Sequence, residues 1–121
     1  MKRFGIFLAL GAATALTFST PAVAHTKLVS SSPAANASVT TSPRTITLTF
    51  SDRVVPRFSK FELEMPAHRM KIPVSTSVSE DGKRIVGRVR SRLMKGSYTI
   101  KWTAAAPDGH RMTGEVAFTV S

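Results

Sequence analysis

The chain has no cysteine, one tryptophan, one tyrosine, and only 7 acidic residues against 17 lysines and arginines. Without thiols there is neither a disulfide framework, nor a thiolate metal site, nor a cysteine nucleophile. No G-x-S-x-G elbow is present, and the serines fall in turns and on strand faces. Nucleophilic catalysis therefore has no support, and no catalytic residue is assigned. Long apolar runs are also missing. The one candidate, Phe4–Phe18, is 15 residues long, short of the ~20 that a spanning helix needs. The scarcity of acids leaves a formal net charge of +10, which directs attention to anionic partners: nucleic acid, a membrane face or an acidic protein.

What is present begins with a leader. Lys2 and Arg3 precede the apolar stretch, and Pro21 leads into Ala22-Val23-Ala24, an A-x-A cleavage signal. Residues 1–24 are expected to be a signal peptide that is removed, leaving 25–121 as a single domain without stable membrane insertion. Export without disulfides fits a bacterial periplasm and makes intracellular nucleic acid an unsuitable partner. Removing Lys2 and Arg3 takes the 17 basic residues to 15 against 7 acids, about +8. In Lys83–Arg92 the arginines alternate with Ile85 and Val89, the pattern of a strand with a solvated face.

The rest of the chain has period-2 segments and no helical stripe. Segments 45–50, 60–65, 98–104 and 115–120 alternate large apolar with polar residues, and 27–31, 71–77 and 84–89 read as further strands. Ser-Pro, Val-Pro, Met-Pro, Asp-Gly and Lys-Gly pairs separate them. The expected fold is all-β: about seven strands in an antiparallel Greek-key β-sandwich or barrel of immunoglobulin-like size, without the Cys…Trp…Cys spacing of true immunoglobulin domains. Trp102 is expected in the core.

The histidines carry the chemistry. Cleavage after Ala24 would make His25 the first residue, and its α-amine and ring could then chelate one metal ion. Such nitrogen donors suit Cu(II). Taken alone, His25 is better read as a frayed terminal residue. Asp108 and His110 flank Gly109 and would add one oxygen and one nitrogen donor, completing a four-ligand set for Cu(II). The competing reading is a plain Asp-Gly turn with an ordinary loop histidine. Met65, His68 and Met70 form another cluster. Thioethers and an imidazole suit Cu(I), while Met65 equally continues the apolar face of Phe61 and Leu63.

Taken together, "HTKLVSSSPAANASV" (25–39), "ITLTFSDRVVPRFS" (46–59) and "LMKGSYTIKWTAAAPDGHRMTGEVAFTV" (93–120) resemble the CopC family of periplasmic copper-binding proteins. The resemblance implies a Cu(II) site of the His25 amine and ring, Asp108 and His110. It places Asp52, where the family more often has Glu, near that site in a supporting role. It also implies Cu(I) binding by Met65, His68 and Met70 at the opposite end of the sandwich. The function it implies is a non-catalytic, monomeric copper carrier that sequesters copper or passes it to an inner-membrane transport protein of the CopD type. Two other readings are a histidine-brace copper oxygenase and a metal-free structural or adhesive domain.

Overall fold

In a computed structural model, residues 25–121 are described; the expected leader, 1–24, lies outside the described residues. Among the described residues there are nine strands: β1 (Leu28–Ser32), β2 (Ala37–Val39), β3 (Thr45–Phe50), β4 (Lys60–Met65), β5 (Met70–Ile72), β6 (Val74–Val78), β7 (Arg84–Val89), β8 (Gly96–Ala105) and β9 (Arg111–Val120). They form two sheets, β1-β3-β7-β6 and β2-β9-β8-β4-β5. The all-β sandwich expected from the alternation is the fold, with two strands more than expected and one parallel pairing, β2 with β9. The only helical segments among the described residues are 3-10 turns at Pro56–Phe58 and Pro66–His68. Each opens on a proline, whose fixed φ suits a first helical position.

Alternation decides which side chains are inside. Ile46, Leu48 and Phe50 of β3 face Phe61, Leu63 and Met65 of β4 and Tyr98, Ile100 and Trp102 of β8 within one buried cluster. Phe50 meets Trp102 edge-on with ring centres 5.3 Å apart, and Tyr98 stacks on Phe118 at 5.4 Å. The Tyr98 hydroxyl donates to the Met94 carbonyl at 2.6 Å, so its polar tip is satisfied. Trp102 is 8% exposed, and its indole N–H has no hydrogen-bond partner.

The segment 71–77, expected as one strand, is split at Pro73. β5 pairs with β4 in one sheet and β6 with β7 in the other. Proline has no N–H for a continuous ladder, and the chain changes sheets where that bond is missing.

Inside, Gly87 of β7 lies beneath the Phe61 ring. A Cβ there would stand 2.1 Å from Phe61 Cζ and 2.7 Å from Val74 Cγ1. The two sheets can approach at this point only because position 87 has no side chain.

β3 runs from Thr45 at one end of the sandwich to Phe50 at the other. The second end collects the exit of β3, the entry of β1 and the β8–β9 hairpin loop, because Leu28 pairs with Phe50 and Ala105 with Arg111.

Candidate metal centre

His25 is held at this end by its neighbours in sequence. The Lys27 N–H donates to Ser51 Oγ at 3.0 Å, and the Ser51 N–H returns a bond to the Lys27 carbonyl at 2.9 Å. This double clamp ties the chain just after His25 to the exit of β3, beside Asp52. Between them Thr26 is buried at 8% exposure.

The β8–β9 loop supplies the other donors. The Ala106 N–H donates to the His110 carbonyl at 2.8 Å, and the Gly109 N–H to the Ala106 carbonyl at 2.9 Å. Gly109 has φ +91° with open space where a Cβ would stand. Glycine is needed there for the backbone conformation alone. Inside this closed loop both oxygens of Asp108 face His110: Oδ1 accepts its backbone N–H at 3.0 Å and Oδ2 contacts ring Nδ1 at 2.6 Å. The His110 backbone N–H, and then the ring, hold the Asp108 carboxyl below its ordinary pKa. It is therefore ionised at neutral pH. A carboxylate on Nδ1 orients the ring and leaves Nε2 turned away from that contact.

The His25 and His110 rings meet edge to face with centres 5.7 Å apart. His25, Asp52, Asp108 and His110 all line one cleft of about 420 Å³. Two residues distant in sequence, His25 and Asp52, are thus brought beside Asp108 and His110. Asp52 Oδ1 accepts the Arg53 backbone N–H at 2.7 Å, which anchors this carboxylate at the rim. Two carboxylates line the cleft of a strongly basic molecule, so this end attracts a cation while the remainder repels it. Arg111 also lines it, but its guanidinium lies 5.3 Å over the Phe58 ring, which Arg57 approaches at the same distance. Thr26 and Met112 line the cleft as well. Thr26 gave no sequence signal, whereas Met112 lies two residues from His110.

The donor types, imidazole nitrogen and carboxylate oxygen, fit Cu(II). Among the described residues, no three His, Asp or Glu side chains already stand in metal-holding geometry. Binding must therefore reorient side chains. The His110 side chain is 69% exposed, so it has solvent to move into once its contact with Asp108 is exchanged for the metal.

Met65, His68 and Met70 lie at the other end. Met65 and Met70 are direct partners across β4 and β5. Met65 is 2% exposed in the core, whereas Met70 is 44% exposed and His68 is on the surface. Of the two thioethers, then, only Met70 is open to solvent, and Met65 serves the core.

The CopC domain profile matches residues 28–121. Copper resistance protein C of Pseudomonas syringae pv. tomato is 38% identical over 114 residues, covering 89% of this chain and 90% of its own length. Copper resistance protein C of Xanthomonas campestris pv. juglandis is 36% identical over 110 residues, covering 84% of each chain. Among solved structures, PcoC, a methionine-rich copper resistance protein from Escherichia coli, superposes with a TM-score of 0.72 at 34% identity, over 81% of this chain and all of the other. CopC from Methylosinus trichosporium OB3b gives 0.74 at 26% identity, over 80% and 94%. With a domain match over nearly all the described residues and relatives this similar along most of their length, the chain belongs to the CopC family.

Proposed function

We propose that the protein is a non-catalytic periplasmic copper carrier whose Cu(II) site is built on His25 once the chain has been cut after Ala24. The observation that carries this reading is the convergence of His25, Asp108 and His110 on one cleft, with Asp52 at its rim. Cleavage turns the His25 nitrogen from an amide, which must lose its proton before it can bind a metal, into an amine that can bind beside its own ring. The His110 ring and the Asp108 carboxylate supply the remaining donors. Copper is cargo here: it is bound, buffered and released, and no bond in another molecule is broken. The relatives are named copper resistance proteins, which supports copper as the ligand.

Two finer parts belong to the same proposal. Met70 and His68, with Met65 behind them, offer soft donors for a second ion as Cu(I). An inner-membrane transport protein of the CopD type is the proposed recipient. Loaded protein that delivered no copper to such a recipient would remove that part alone.

The test is titration of the monomeric protein cleaved after Ala24. One equivalent of Cu(II) is expected to bind tightly, and under reducing conditions a Cu(I) equivalent is expected that Met70→Leu weakens. Absence of tight Cu(II) binding would leave only a metal-free structural role. An oxygen-activating histidine brace predicts something else, rapid copper-dependent oxygen consumption with a reductant, abolished by His110→Ala. No observation favours it, since the Asp108 carboxylate beside His110 would serve as a fourth donor and take the open equatorial position that such a site needs.

Asp108→Asn separates this set from a mere pair of histidines. The amide keeps the shape but removes the negative charge and the strong acceptor on Nδ1. Even a carboxylate that only supports a ligating histidine is worth roughly 10–100-fold in metal affinity, so a ligating one should cost at least as much. A loss in that range is expected in competition with a chelator, and unchanged affinity would exclude Asp108 from the site.

A further inference from the structure

The largest concentration of unpaired charge lies at the end of the sandwich away from His25. Arg44 precedes β3, Arg88 is in β7, and Arg90 and Arg92 follow β7; all four are exposed and line a cleft of about 980 Å³. None of them has a carboxylate within 4.0 Å among the described residues. The ion pairs present there use Lys71, Arg84, Lys101 and His110 instead. No acidic side chain lines the cleft, whereas hydroxyls do, Thr41, Ser42 and Ser91 among them.

The cleft is also rigid. The Leu93 N–H donates to Ser42 Oγ at 2.8 Å and the Val89 N–H to the Arg44 carbonyl at 2.9 Å, which ties its two walls together. Arg90 Nε donates to Ser75 Oγ at 2.9 Å, which fixes that guanidinium.

Four like charges at close quarters repel one another and find no internal compensation. All four are arginines, whose planar forks match carboxylate and phosphate oxygens in pairs, where lysine would offer only a point charge. The volume is at the upper end of the range for discrete ligands and too large for a single inorganic oxyanion. Apart from Val89, the lining offers no large apolar side chain to enter a bilayer, and a concave surface fits a projecting segment better than a plane. We propose that this cleft is a docking site for a carboxylate-rich segment of a partner protein, its acidic side chains paired with Arg44, Arg88, Arg90 and Arg92. β3 spans six residues, so at ~3.3 Å per residue the docking site lies about 20 Å from the His25 cleft.

The test is fluorescence anisotropy with a labelled peptide of alternating Glu and Gly and the full chain without metal. Binding is expected at about 20 mM salt and should weaken strongly at about 150 mM, as surface charges are screened. The triple variant R44S/R88S/R92S is expected to lose roughly ten-fold or more in affinity. The same sites changed to lysine should recover part of it. Trp102 emission and the thermal midpoint check that both variants fold. Binding insensitive to the triple variant would overturn the proposal. So would failure of the peptide to bind while vesicles of anionic phospholipid, or inorganic polyphosphate, retain the protein through the same arginines. Because no metal takes part, failure here leaves the copper reading untouched, and failure of copper binding leaves this site standing.

Discussion

Adding one residue before His25 is expected to lower Cu(II) affinity by about a hundred-fold or more. Structural four-ligand zinc sites are worth about 10–16 kcal/mol, and by that guide one donor carries about 3 kcal/mol, where 1.4 kcal/mol is a factor of ten. The added residue moves the amine one position away and replaces it, next to the imidazole, with an amide. The chain cannot slide back to compensate. Lys27 is bonded twice to Ser51, and Leu28 is paired with Phe50. A one-residue slip would turn every side chain of β1 to the opposite face. The measurement is a chelator competition on the two forms, with electron paramagnetic resonance to count coordinating nitrogens. One nitrogen fewer and weaker binding are expected together. Equal affinity and an unchanged spectrum would mean that the amine is no ligand and that the site rests on side chains alone.

The largest expected effect on stability is at Gly87. Its neighbours are the Phe61 ring from the facing sheet and Val74 from the adjacent strand, with a new Cβ only 2.1 Å from Phe61 Cζ. Phe61 is 4% exposed, and its ring would have to move for the Cβ to fit. Overpacking of this kind costs about 1–3 kcal/mol. For a domain of this size each kcal/mol lowers the midpoint by about 4–8 °C. Gly87→Ala should therefore melt about 10 °C lower, and adding Phe61→Leu should restore part of the loss. The partial rescue is the diagnostic result, because contacting residues couple in a double-mutant cycle while a general weakness of the strand would not. A midpoint within 2 °C of the parent, roughly the effect of a neutral surface change, would mean that the sheets separate easily at this point.

Alternation made β3, β4 and β7 legible because each has one face buried, so its code is local. β2 was not legible. Ala37–Val39 is three residues long and exists through its parallel pairing with β9, eighty residues away in sequence, which no local pattern records. The break at Pro73 was visible as a proline. That the chain changes sheets there follows from which strands stand nearby, not from the residue itself. At the metal centre, Asp108 and His110 are readable as neighbours from their spacing. The approach of His25 depends on the Lys27–Ser51 clamp, an association between chain segments that only the family resemblance could anticipate. Arg88, Arg90 and Arg92 were legible as a solvated strand face. Their gathering with Arg44 depends on the pairing of β3 with β7.

The route of β3 through the molecule bears on traffic. Its two ends belong to different surfaces: the His25 cleft beyond Phe50 and the arginine cleft before Thr45. On the two proposals above, a protein gripped at the arginine end would keep its His25 cleft open to the surroundings. Loading and unloading can then take place without the grip being released. Partners would queue at separate entrances instead of competing for one, and their residence times could be tuned independently.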